Sequence, residues 1–124
     1  MKRIFIAILA VVIFSTAASA KKEPAAKKLD GYLVDKMCSK RMIGHMDKAM
    51  KHTKTCLIEE SCASTGYGLL TEKKYILFDA KGNELVANYL KTTSKESNFM
   101  VEVTGSMKKN RLAISSITDV PPQK

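Results

Sequence analysis

The chain has 124 residues, of which 45% are hydrophobic and 27% are charged, and its formal net charge is +9. This length allows one domain with a modest core. The chain has four Tyr, four Phe and no Trp, a composition that argues against a single-strand nucleic-acid site, which stacks bases on aromatic side chains.

The first 20 residues have the pattern of an export signal. Lys2 and Arg3 precede an apolar run at 4–14, and the small residues Ala18-Ser19-Ala20 follow it. The run is too short to span a bilayer comfortably, and small residues suit the site of a signal peptidase. The sequence therefore predicts a signal peptide at 1–20, cleavage after Ala20, and a periplasmic or secreted protein without stable membrane insertion.

The rest of the chain is predicted to form one domain between two short flanking segments. Residues 21–28 (KKEPAAKK) are basic, contain a proline and lack periodic apolar residues, a composition that predicts a flexible leader. Residues 120–124 contain two prolines, which cannot continue a strand and so predict a tail. The domain is expected to cover residues 29–119.

Apolar, β-branched and aromatic runs predict five strands, with one helix between the third and the fourth. The strands are expected at 29–35, 67–71, 75–78, 99–103 and 112–117, the helix at 84–90, and turns at 79–83 and 105–110. An irregularity is expected in the last strand near Ser115-Ser116.

This order of strands and helix is that of a small, partly open OB-type barrel. A small α+β sandwich would give much the same pattern and stays open as an alternative. The predicted fold class is therefore mainly β with helices (α+β), a five-stranded OB-like barrel with a helical Cys/His insertion between strands 1 and 2.

The insertion is predicted to contain one amphipathic helix, from Met46 to about Cys62. Apolar residues fall on one arc when successive residues are placed 100° apart; this arc contains Met42, Met46, Ala49, Met50, Thr53 and Leu57. His52 and Cys56 are four residues apart, so they would share one face of such a helix.

All three cysteines lie in this insertion. Cys38 follows the first strand and Cys62 precedes the second, so pairing of these strands would bring the two cysteines together. In an exported protein a Cys38–Cys62 disulfide would persist and would stabilise the fold by roughly 3 kcal/mol. It would leave Cys56 unpaired. An unpaired cysteine in an exported protein suggests a disulfide between chains, a metal site or redox chemistry.

The same residues can be interpreted as a metal site. Cys38, His52, Cys56 and Cys62 form a Cys₃His set, which matches tetrahedral zinc, and thiolate-rich sites also suit copper(I). Nearby methionines offer thioether sulfurs, although their positions on the apolar arc favour ordinary core packing.

The signals for catalysis are weak. The chain has no C-x-x-C redox motif, and no third residue is evident that would orient a Cys56–His52 pair. Gly66-Tyr67-Gly68 does not precede a predicted helix and makes a poor phosphate loop. The sequence therefore predicts no enzymatic activity.

Three motifs resemble those of a group of small exported bacterial proteins of undetermined function. Residues 31–38 (GYLVDKMC), 52–56 (HTKTC) and 62–68 (CASTGYG) follow the group's D-x-x-C, H-[ST]-x-x-C and C-x-x-[ST]-G pattern, ahead of a β-rich half that ends in a V-x-V-x-G hairpin. The resemblance covers residues 29–117. It implies the OB-like architecture, and it implies that Asp35, Cys38, His52, Cys56 and Cys62 belong to one site.

The leading hypothesis from the sequence is an exported, non-enzymatic domain whose Cys/His cluster binds a transition metal, zinc or copper, or forms a structural disulfide. Two alternatives come from other classes: an OB-type module that binds an anionic polymer or other ligand, and a thiol-redox protein. Nucleic acid is not expected as a partner, and the sequence identifies no protein partner.

Overall fold

The computed structural model describes residues 26–120. The predicted signal peptide at 1–20 and its cleavage site lie outside the described residues, as do most of the predicted leader and of the tail. Within 26–120, no helix is long and apolar enough to cross a membrane.

The described chain contains five strands and five helices. The strands are β1 (Lys27–Asp35), β2 (Tyr67–Leu70), β3 (Tyr75–Leu77), β4 (Met100–Lys108) and β5 (Arg111–Asp119). The helices are α1 (Lys36–Met42), α2 (Met46–Met50), α3 (Lys54–Ile58), α4 (Glu60–Ala63) and α5 (Ala80–Thr92). The predicted α+β class is confirmed, and so is the helical insertion between strands 1 and 2.

The strands form one antiparallel sheet in the order β3-β2-β1-β4-β5. The sheet is not closed. An isolated parallel bridge joins Phe78, just after β3, to Leu112 in β5, and the backbone N–H of Asp79 donates to the Leu112 carbonyl at 3.2 Å. The segment that follows β3 therefore contacts β5 at this point.

Strand β1 lies at the centre of the sheet and begins earlier than expected. Lys27 and Lys28 pair with Gly105 and Thr104 of β4, so two residues of the predicted leader belong to the sheet. The irregularity expected near Ser115 is confirmed: Thr104 pairs with Ser116 and the next residue pairs with Ile114, which leaves Ser115 as the extra residue of a bulge.

The turns predicted at 79–83 and 105–110 are longer than those in the structure, so their bounds are wrong. Asp79 caps α5, because its carboxylate accepts a hydrogen bond from the Gly82 N–H at 2.8 Å, and the helix begins at Ala80. Strand β4 continues through Gly105 to Lys108, so that the turn is confined to Lys109 and Asn110.

The single helix predicted from Met46 to Cys62 is also wrong. The segment folds as three short helices, α2, α3 and α4, and the first interruption lies around Thr53. There the backbone pairs with a distant segment: the Lys54 N–H donates to the Glu96 carbonyl at 2.9 Å, and Thr53 forms a bridge with Ser97. The Thr53 side chain then caps α3 by accepting from the Cys56 N–H at 3.3 Å. The tertiary pairing outweighs helical periodicity here.

Candidate metal centre

The two ends of the insertion are fastened to each other next to the sheet. Asp35 pairs with Tyr67 in the β1–β2 ladder. Beyond it, the Lys36 N–H donates to the Gly66 carbonyl at 2.9 Å, and the Met37 N–H donates to Thr65 Oγ1 at 3.2 Å. These bonds hold the start of α1 against the end of α4, the two helices that carry Cys38 and Cys62.

Asp35, Cys38 and Cys62 form a compact group of ligand atoms. One carboxylate oxygen and the two Sγ atoms all lie within 4.8 Å of one another. Asp35 is fully buried, and Cys38 and Cys62 are only 9% and 6% exposed. Zn–S bonds of ~2.3 Å in tetrahedral geometry place two thiolates ~3.8 Å apart, a separation that the 4.8 Å limit of this group includes. The group could hold a metal ion.

The Asp35 carboxylate is oriented by two hydrogen bonds. Asp35 Oδ2 accepts from the Cys38 backbone N–H at 3.0 Å, which caps α1, and Oδ1 lies 2.9 Å from His52 Nε2. His52 is buried beside it and immediately precedes the Thr53 cap of α3. His52 therefore contacts the ligand group through the Asp35 carboxylate. Residues that orient a metal ligand typically bind that ligand in this way.

The pKa values of the group reflect burial and charge. Burial by itself would raise the pKa of Asp35, but the hydrogen bonds from His52 and from the Cys38 backbone outweigh it, so the pKa is lowered. Burial, followed by the Asp35 charge and by Cys62, raises the pKa of the Cys38 thiol to about 11. Without a cation the Cys38 thiol therefore stays protonated at neutral pH beside an ionised carboxylate.

Cys56 lies on the wall of an adjoining cleft. This cleft has a volume of about 350 Å³ and is lined by Cys38, Arg41, Met42, Lys48, His52 and Cys56. Arg41 Nη2 lies 4.0 Å from Cys38 Sγ. Of the three ligand-group residues only Cys38 lines the cleft, which thus adjoins one side of the group.

The structure brings together two of the four residues predicted as metal ligands. Cys38 and Cys62 meet at the ends of the insertion, as the strand pairing predicted. His52 touches Asp35, and Cys56 lies in the cleft; neither belongs to the group within 4.8 Å. The expected stacking of His52 and Cys56 on one helix is wrong, because α3 begins after His52.

Asp35 entered the sequence interpretation only through the family resemblance. A signal for it was present, since an Asp three residues before Cys38 at the end of a strand is a typical helix N-cap. His45, the other histidine, is exposed and makes no side-chain cap bond. All three cysteines, which lie within the described residues, are free thiols.

Comparison of the chain with protein-family models, with curated proteins and with solved structures gives no match.

Proposed function

We propose that this chain is an exported, non-enzymatic domain that binds a transition metal ion, zinc in preference to copper, through Asp35, Cys38 and Cys62. The observation that carries the proposal is the burial of three ligand atoms within 4.8 Å of one another. Buried ionisable groups at this spacing repel one another when ionised, and a divalent cation would reverse that repulsion. The mixture of one carboxylate oxygen and two sulfurs favours zinc, because copper(I) prefers sulfur ligands.

The surrounding residues support the proposal. A ligating carboxylate is typically held by further hydrogen bonds, and Asp35 has such bonds from His52 and from the backbone of α1. A tetrahedral ion needs a fourth ligand; the candidates are Cys56, which shares the cleft with Cys38, and a water molecule.

A second candidate function is a structural disulfide between Cys38 and Cys62. The proximity of their Sγ atoms favours it. Forming the bond would remove two protons and two electrons from the thiols, with an external disulfide as the oxidant. The disulfide and the metal exclude each other, because both use the same two sulfurs.

One measurement separates the two candidates. The protein is purified from cells that export it, without chelator or reductant, and its metal content and free thiols after denaturation are counted. About one metal ion per chain with three free thiols supports the metal site, whereas one free thiol and no metal supports the disulfide. Three free thiols with no metal, and no zinc binding on titration, would exclude both. The mass of the same sample tests removal of residues 1–20.

Variants sharpen the test. Asp35→Asn and Cys38→Ser should abolish tight zinc binding, and His52→Ala should weaken it about 10- to 100-fold. His45→Ala is the matched control, since His45 is exposed and lies outside the group, and its zinc affinity should be unchanged. If His52→Ala and His45→Ala behave alike, His52 does not support the site. A disulfide would be formed equally well by both variants.

We further propose that the open sheet is a partly open OB-type barrel. Its strand order, the position of α5 between β3 and β4, and the bridge from Phe78 to Leu112 support this interpretation. Cross-strand amide contacts between β3 and β5 in solution would test it.

A further inference from the structure

A second cleft lies between α3 and α5, and none of its walls belongs to the candidate metal centre. Its volume is about 440 Å³, within the usual range of small-molecule sites. It is lined by Lys54 and Ile58 of α3, Tyr67 of β2, and Ala87, Leu90 and Lys91 of α5. Four of these six side chains offer apolar or aromatic surface and two are cationic.

The one polar side-chain atom among the apolar and aromatic residues that line the cleft, the Tyr67 hydroxyl, is already hydrogen-bonded. Tyr67 is buried, and its hydroxyl donates to the Leu57 carbonyl at 2.6 Å, so that its polar atom is already paired. Leu90 is buried as well, whereas Ile58 is 55% exposed. A ligand that covered Ile58 would remove apolar surface from water, which is favourable.

The two lysines give the cleft a positive charge. Lys54 is half-buried, and its Nζ donates to the Thr93 carbonyl at 2.9 Å, which holds the ammonium in place and leaves two N–H donors. Lys91 is exposed in the last turn of α5. No carboxylate lines the cleft, and within residues 26–120 neither lysine forms an ion pair.

We propose that this cleft binds a single-chain amphiphilic carboxylate, of the medium-chain fatty-acid class. The acyl chain would lie along Ile58, Tyr67 and Leu90, and the carboxylate would bind Lys54 and Lys91. Charge complementarity selects an anion, and the apolar residues of the cleft, Ile58, Ala87 and Leu90, select a hydrocarbon chain. The inference does not depend on the metal centre.

The test uses dodecanoate below its micelle concentration, titrated calorimetrically into the purified protein with and without chelator. We expect saturable binding of one dodecanoate per chain, equal in both conditions. Dodecyltrimethylammonium, which has the same chain length and the opposite charge, should bind at least tenfold more weakly. Equal binding of the two probes, or no saturable binding of dodecanoate, would overturn the proposal.

Substitutions locate the site. Lys54→Gln and Lys91→Gln should each weaken dodecanoate binding about fivefold, as expected for partly exposed charge pairs. Lys81→Gln is the matched control, because Lys81 is exposed on α5 but does not line the cleft.

Ala87→Trp would fill the cleft and should abolish binding, with circular dichroism and a thermal melt to confirm folding. Ile58→Asp changes an exposed side chain, so it should fold even if Ala87→Trp does not, and it should weaken binding more than tenfold. Unchanged affinity in Ile58→Asp, or an equal loss in Lys81→Gln, would show that dodecanoate binds elsewhere.

Discussion

Two hydrophobic cores lie on this sheet, and they differ in composition. The main core consists of Leu33, Leu57, Tyr67, Leu69, Ile76, Phe78, Val86, Leu90, Phe99, Val101, Val103, Leu112 and Ile114. The insertion core consists of Tyr32, Val34, Cys38, Met42, Ala49, Cys62 and Leu70. Strand β1 serves both, since Leu33 belongs to the first, and Tyr32 and Val34, its neighbours in sequence, belong to the second.

The insertion core is the smaller one, and it adjoins the buried polar residues. Asp35, Ser39 and His52 are buried next to it, and two of its seven members are cysteines. The main core draws its stability from apolar burial. The insertion is built from helices of four to seven residues, which are too short to be stable alone, and two of them, α1 and α3, have side-chain caps, from Asp35 and Thr53.

The largest expected effect comes from a cavity in the main core. Phe78 is fully buried, and Phe78→Ala should lower the free energy of unfolding by about 3–5 kcal/mol. Met42→Ala, in the insertion core, should cost only about 2 kcal/mol, because Met42 is 8% exposed and belongs to the smaller cluster. Urea unfolding of both variants measures the difference. Equal losses would show that the two cores contribute alike.

The next largest loss of stability is expected from removing the polar contacts of the insertion, rather than its apolar ones. Asp35→Ala removes the cap of α1 and leaves buried His52 without its partner, so it should cost about 2–4 kcal/mol. Asp47→Ala is the matched control, since Asp47 also lies at the start of a helix in the insertion but is exposed. Its cost should stay below about 1 kcal/mol. Comparable losses in chemical denaturation would contradict the importance assigned to the Asp35 contacts.

The two regions also differ in how well the sequence predicts them. Strand runs such as 67–70 and 75–77 are short and dense in apolar residues, and hairpin spacing places them well. The start of α5 was missed, because Asp79-Ala80-Lys81-Gly82 has turn composition and the capping role of Asp79 depends on which way the chain continues. The insertion was misassigned as one helix because helical periodicity does not register the pairing of Thr53 with Ser97.

The candidate site was predictable as far as strand pairing determines it. The approach of Cys38 to Cys62 follows from the β1–β2 ladder, and it was predicted on that ground. The different positions of His52, which contacts Asp35, and Cys56, which lines the cleft, could not be predicted, because they depend on where α3 begins. That start depends on the Lys54 hydrogen bond to Glu96, about 40 residues along the chain.

The contribution of the insertion to the free energy of unfolding is expected to depend on pH. This effect is smaller than that of Asp35→Ala and larger than that of Gly44→Ala. The folded-state pKa of Cys38, about 11, exceeds the ordinary value of 9.0, so the folded state holds this proton more tightly. Its contribution to stability is complete below pH 9 and is lost as the pH rises from 9 towards 11, on the order of 2 kcal/mol. Asp35 has the opposite sign: its lowered pKa contributes stability above about pH 3.8, which is lost as the pH falls through the folded value.

Urea unfolding at pH 8 and pH 10.5 tests the alkaline limb. Other groups titrate in this range, so the informative quantity is the difference between the wild-type protein and Cys38→Ser, which should lose less stability between the two pH values. Saturating zinc should also reduce the loss in the wild-type protein if the proposed metal site is correct, because the ion favours the thiolate. Identical pH profiles for the two proteins would show that Cys38 does not titrate as its surroundings predict.

The smallest effect concerns the backbone between α1 and α2. Gly44 has a φ of +79°, and nothing lies within 4 Å of the Cβ that an alanine would add. Gly44→Ala should therefore cost only the backbone strain of a left-handed residue, about 1 kcal/mol. Asn tolerates this conformation better, so Gly44→Asn should cost less than Gly44→Ala. Thermal melts of the two variants measure this order. A loss above about 3 kcal/mol in Gly44→Ala would mean that this turn packs against the insertion core. The insertion would then depend on packing as the sheet does, which would contradict the difference drawn between the two regions.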